Sequence, residues 1–125
     1  MQTAARKQAL ITAAHGIAGW ALCGATMGIG MAVTTLEAAL VIHAVAAPLI
    51  FAALTLFYFR RFAFWTPLQA AATFLTTVVT LDFFVVALLI EKSFDMFRSP
   101  LGTWLPFILI FLSSWWAGAA AQRRT

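Results

Sequence analysis

The chain has 125 residues, 63% of them hydrophobic and only 10% charged. A water-soluble domain carries about 25% charged residues, so this composition, with a mean hydropathy of +0.95, excludes a disordered chain, a coiled coil and nearly every water-soluble fold. The net charge is +4, but the basic residues stand in pairs at segment ends rather than in a patch, which argues against a nucleic-acid partner.

Four apolar stretches are long enough to cross a bilayer, which takes about 20 residues. They run over about 10–34, 38–59, 68–90 and 104–121 and take up most of the chain, so a single membrane-embedded domain over 1–125 is expected. None alternates apolar and polar residues as a barrel strand does, and backbone groups in hydrocarbon must bond internally. The expected fold is therefore all-α, a four-helix antiparallel transmembrane bundle.

The first stretch follows Arg6 and Lys7 and holds no Asp, Glu, Lys or Arg. It runs well past Cys23, too far for a cleaved signal peptide, and reads as a retained anchor helix. Thr34 and Thr35 then make a tight turn. The loop Phe59 to Trp65 mixes Arg60 and Arg61 with aromatic rings, a composition suited to lipid headgroups. Thr66 and Pro67 read as the N-cap and first residue of helix three. Between helices three and four, Phe94, Phe97 and Leu101 recur at i, i+3 and i+7, which fits either a short amphipathic helix within 91–103 or an ordinary loop with buried aromatics. Trp115 and Trp116 suit an aromatic belt at the end of helix four.

With four spans, Arg6, Lys7, Arg60, Arg61, Arg123 and Arg124 fall on one side, six of the eight basic residues. The positive-inside rule then puts both termini in the cytoplasm of a cell that carries the chain in its plasma membrane. The bias argues against insertion in both orientations.

Asp82 is the sharpest feature. It lies nine residues before Glu91, roughly 13 Å from that end of helix three at 1.5 Å per residue. A charge at such depth costs on the order of 2.5–3.5 kcal/mol, so it should face other helices, find a partner or stay protonated. On a straight α-helix its face carries Leu75, Val78, Val79, Val86 and Leu89, while Thr73, Thr76, Thr77 and Thr80 lie roughly opposite. Those threonines suit bonding to their own i−4 carbonyls. His43 lies in the same half, roughly 9 Å deep, and can form a His–Asp pair with Asp82. Pro48 follows, freeing the carbonyl of Ala44 and shaping a polar pocket.

Other features read as packing or ligands. Gly24 and Gly28 form a small-xxx-small motif that lets another helix approach, either helix two or a second copy. Cys23, Met27 and Met31 follow i, i+4, i+8 spacing, which suits core packing or, as an alternative, Cu(I). His15 sits near the opposite membrane face from His43, which disfavours a haem held by both. No phosphate loop, HExxH or CxxC is present, so an enzyme is not expected, and the sequence leaves any cofactor unknown.

The size and four-helix plan are similar to those of small multidrug-resistance transporters. Their essential Glu in the first helix has no counterpart here. The Asn and Gly-Thr-Thr pattern of small fluoride channels is also missing, so neither resemblance is adopted. Two functions are expected from the residues. One is movement or sensing of a small solute, ion or proton through a polar site of Asp82, His43 and Pro48. The other is a non-catalytic subunit or assembly factor of a larger membrane complex. Lipids, further copies or a partner membrane subunit are the expected associates.

Overall fold

The computed structural model describes residues 2–62 and 64–123, and the described chain is helical, without strands. Helix α1 covers Gln2–Val33, α2 Leu36–Arg61, α3 Pro67–Leu81 and α4 Leu105–Arg123. Helix α3 continues without a break into a π-helical segment, Asp82–Glu91. Four helical spans are long and apolar enough to cross a membrane: Ala4–Val33, Leu36–Arg61, Pro67–Ile90 and Leu105–Gln122. They mark a multi-pass membrane protein. An apolar helix satisfies all its backbone groups within itself, the condition hydrocarbon imposes.

Short polar side chains set the helix ends. The Thr34 hydroxyl donates to the Gly30 carbonyl at 2.6 Å, closing α1. Thr35 then caps α2, its hydroxyl accepting from the Ala38 N–H at 3.2 Å. Thr66 caps α3 with Pro67 beside it, as the sequence predicts. In return the Thr66 N–H donates to Gln69 Oε1 at 3.1 Å, which completes a capping box. Helix α2 runs uninterrupted through Pro48.

The connection between helices three and four differs from the expected amphipathic helix. Lys92 adopts a left-handed conformation with φ 54° and ends the π-helical segment. The Ser93 N–H then bonds to the Ala87 carbonyl at 2.9 Å. Two short pieces follow, a 3-10 turn at Asp95–Arg98 and a π turn at Pro100–Trp104. Pro100 has no N–H and crowds the preceding turn, which together with the left-handed Lys92 disfavours one continuous helix here. Phe94 and Phe97 fold back onto Phe83, with ring centroids 5.2 and 6.3 Å away. The Trp104 indole donates to the Phe97 carbonyl at 2.7 Å and ties this strap to α4. The Leu101 side chain lies outside the described residues.

Helix α1 packs on α2 and α3, and α4 packs on the same two. Helices α2 and α3 also meet across the centre, through Phe51 and Phe74 (6.2 Å) and Tyr58 and Phe74 (5.8 Å). All three side chains are fully buried. Lipid tails are as apolar as Leu, so close packing rather than water exclusion holds such helices together. Gly19 allows it: a Cβ there would run into the Phe51 ring. At Gly30 a Cβ would lie 3.0 Å from that of Ala39.

The core also holds a satisfied polar pair. The buried Thr12 hydroxyl donates to the Gln8 carbonyl at 2.9 Å. Its oxygen lies 2.9 Å from the Tyr58 hydroxyl, so Tyr58 is the donor there. The His15 ring stands edge-on to Tyr58 at 5.4 Å, with Nδ1 2.8 Å from the Ile11 carbonyl. His15 is thus a packing residue bonded to its own turn.

Candidate polar site at the start of the π-helix

Asp82 sits where the α-helical path of α3 gives way to the π-helix. Its backbone N–H is shared between the carbonyls of Val78 and Val79, the last α-type bond before the wider turns that follow. A π turn takes up an additional residue and re-aims the side chains beyond it. The α-periodic face expected to join Asp82 to Val86 and Leu89 therefore does not continue past Asp82. Before it, α-helical spacing holds, and Thr73 and Thr77 bond to the i−4 carbonyls of Gln69 and Thr73 at 2.9 and 2.8 Å. Those hydroxyls are satisfied within their own helix.

The carboxyl group has a partner on α1. Trp20 Nε1 donates to Asp82 Oδ1 at 2.9 Å, and both side chains are half-buried. An indole N–H in hydrocarbon needs an acceptor as much as a carboxylate needs a donor. When Asp82 is ionised this bond is charge-assisted and correspondingly stronger. Trp20 was not among the expected site residues. The signal was there: it is a tryptophan in the middle of a span rather than at a belt position, and Asp82 is the one acidic residue deep in a span.

His43 is half-buried on α2, and its Nδ1 is buried with no hydrogen-bond partner among the described residues. Asp82 accepts its indole bond from Trp20 on α1. Close contacts between Gly30 and Ala39 and between Gly19 and Phe51 fix the α1–α2 register. On that register His43 is level with α1 about six residues beyond Trp20, roughly 9 Å along the axis. Pro48, half-buried and one turn from Phe51, lies closer to the level of the Trp20–Asp82 bond.

The remaining candidates separate. A Cβ on Gly24 or Gly28 would meet nothing within 4 Å, so the close approach of α1 to its neighbours is made at Gly16, Gly19 and Gly30 instead. Cys23 is buried in the core, Met27 is half-buried and Met31 is 54% exposed. Their stripe thus passes from core to surface. Among the described residues no group of three or more His, Cys, Asp or Glu is placed to hold a metal ion. An open-sided apolar groove of about 330 Å³ runs between α3 and α4, lined by Leu75, Val79, Trp104, Phe107 and Phe111 among others.

No protein-family model, curated protein or solved structure matches the chain. The functional reading therefore rests on the site. Chemically, the Trp20–Asp82 pair can exchange a proton or exchange the indole for another donor or a cation. Nδ1 of His43 can accept or donate one further hydrogen bond.

Proposed function

We propose that this is a plasma-membrane protein that moves or senses a proton, an ion or a small polar solute, with Asp82 as its working group. The observation that carries this reading is the placement of a carboxyl group deep in a span, at the start of a π-helix, against Trp20. Intramembrane carboxylates are costly and mark ion and proton sites by default, and π-helical turns recur at functional positions. The unpartnered Nδ1 of His43 supports a second polar contact point in the same half, and Pro48 supports a local departure from regular helix bonding between the two. In this reading the helices form an antiparallel bundle with both termini in the cytoplasm, as the basic pairs at Arg6–Lys7 and Arg60–Arg61 favour.

The test is flux or pH response in liposomes holding the purified protein. Asp82→Asn is expected to abolish a pH-dependent signal while the protein stays folded. Trp20→Phe removes the indole donor and is expected to shift the pH dependence without abolishing it. A signal unchanged in both variants overturns the reading.

A second reading is favoured by one observation, the open face at Gly24 and Gly28. Small residues at a helix surface suit a docking helix from another copy or from a larger membrane complex. Here the protein acts as a non-catalytic subunit. Purification in mild detergent is then expected to bring down a fixed partner, whereas a lone monomer argues against it.

A further inference from the structure

Among the side chains described, the end of the molecule that carries Tyr58 holds four cations, on two helices, at a common depth. The Thr12–Tyr58 contact of 2.9 Å sets the α1–α2 register there. Counting outward from it at 1.5 Å per residue, Arg60 and Arg61 on α2 and Lys7 and Arg6 on α1 fall within roughly 6 Å of one another along the axis. All four are exposed. The ion pair found among the described residues, Arg98 with Asp95 at 3.7 Å, lies in the strap at the other end. The four acidic residues, Glu37, Asp82, Glu91 and Asp95, all fall away from this end.

The helix termini account for only half of this charge. Arg60 and Arg61 occupy the last turn of α2, where the helix dipole favours cations. Arg6 and Lys7 lie near the start of α1, whose first turn has no acidic residue. The dipole therefore gives these two cations no stabilisation. No acidic residue of the chain lies at this end to pair with them.

Aromatic rings lie just inside these cations. Gly118 packs against Phe59, which brings Trp115 and Trp116 of α4 to about the level of Phe57. All three rings are exposed, Phe57 by 54% and Trp116 by 66%. Exposed rings just inside a ring of cations match the interfacial layer of a bilayer, with the cations at phosphate depth. We propose that Arg6, Lys7, Arg60 and Arg61 form a selective site for the headgroup of an anionic phospholipid, whose chains run down past Phe57 and the tryptophans. This site is separate from Asp82 and does not depend on the function proposed for it.

Native mass spectrometry and thermal unfolding of the full chain in mild detergent test the proposal. The additions are phosphatidylglycerol, phosphatidylcholine and inorganic phosphate in turn. Phosphatidylglycerol is expected to be retained and to raise the unfolding midpoint in preference to phosphatidylcholine, with inorganic phosphate doing neither. Each cation removed is expected to weaken that preference about five-fold, so Arg6→Gln with Lys7→Gln weakens it about twenty-five-fold. These two side chains are exposed on the helix surface, so the double variant is expected to fold. Lys92→Gln with Arg98→Gln, at the other end, is expected to leave the preference intact. Equal retention of the two lipids, an unchanged preference in the Arg6 and Lys7 variant, or an equal effect of inorganic phosphate overturns the proposal.

Discussion

The Tyr58 half and the Asp82 half are built from the same apolar helices, yet they treat polar groups differently. Around Tyr58 the polar groups close on themselves: Tyr58 donates to Thr12, Thr12 to Gln8, Thr55 to Phe51, and His15 bonds to Ile11. The exception is the buried Ser114 hydroxyl, which has no partner among the described residues. Around Asp82 the helix itself changes type, a carboxyl group accepts an indole bond from another helix, and His43 leaves a buried nitrogen without a partner among the described residues. A satisfied polar group in hydrocarbon holds a fold together. One placed there at a cost, beside irregular helix geometry, points to work done on something else.

That contrast can be broken by substitution. Tyr58→Ala removes a fully buried ring packed on Phe59 and Phe74 together with its hydroxyl bond. It is expected to cost about 3–5 kcal/mol in a reversible unfolding titration in micelles. A smaller loss would mean that the Tyr58 half does not carry the stability. Glycine substitutions give the next effect. Gly19→Ala drives a methyl into Phe51 and is expected to cost about 1–3 kcal/mol. Gly24→Ala meets nothing within the chain and is expected to be neutral or to gain up to about 1 kcal/mol from helix propensity. A Gly24→Ala variant that loses stability or oligomeric state would instead place a second chain on that face. The smallest effect is expected at His43. Replacing it with Leu removes a buried nitrogen that has no partner among the described residues, so the same titration should show no loss of stability. A loss above about 1 kcal/mol would show that His43 belongs with the satisfied groups.

Much of this architecture is legible in the residues. The four spans follow from length and apolarity alone, and the start of α3 follows from Thr66 and Pro67. What is hidden is rotation. A helix apolar on all sides has no face that its sequence marks as inward, so Gly24 and Gly28 look as good a contact as Gly16, Gly19 and Gly30. Only the positions of Thr77, Phe51 and Ala39 decide between them. The π-helix is hidden for a related reason. Asp82 to Glu91 is as apolar as any α-helical span, and its change of turn depends on tertiary contacts such as the Trp20 bond and the aromatic strap. The strap itself is half legible: the spacing of Phe94 and Phe97 marks them as apolar partners, but the left-handed turn at Lys92 that folds them back onto Phe83 has no mark in the residues.

The crossing of Phe51 and Phe74 carries a consequence for traffic. Their rings stand 6.2 Å apart, and neither has any exposed surface, so the axis of a single molecule is blocked by carbon and no continuous file of water can thread it. On the proposed function, a visitor reaches Asp82 from the end that carries the strap or sideways from the lipid, and onward passage toward the Tyr58 end requires these two rings to move.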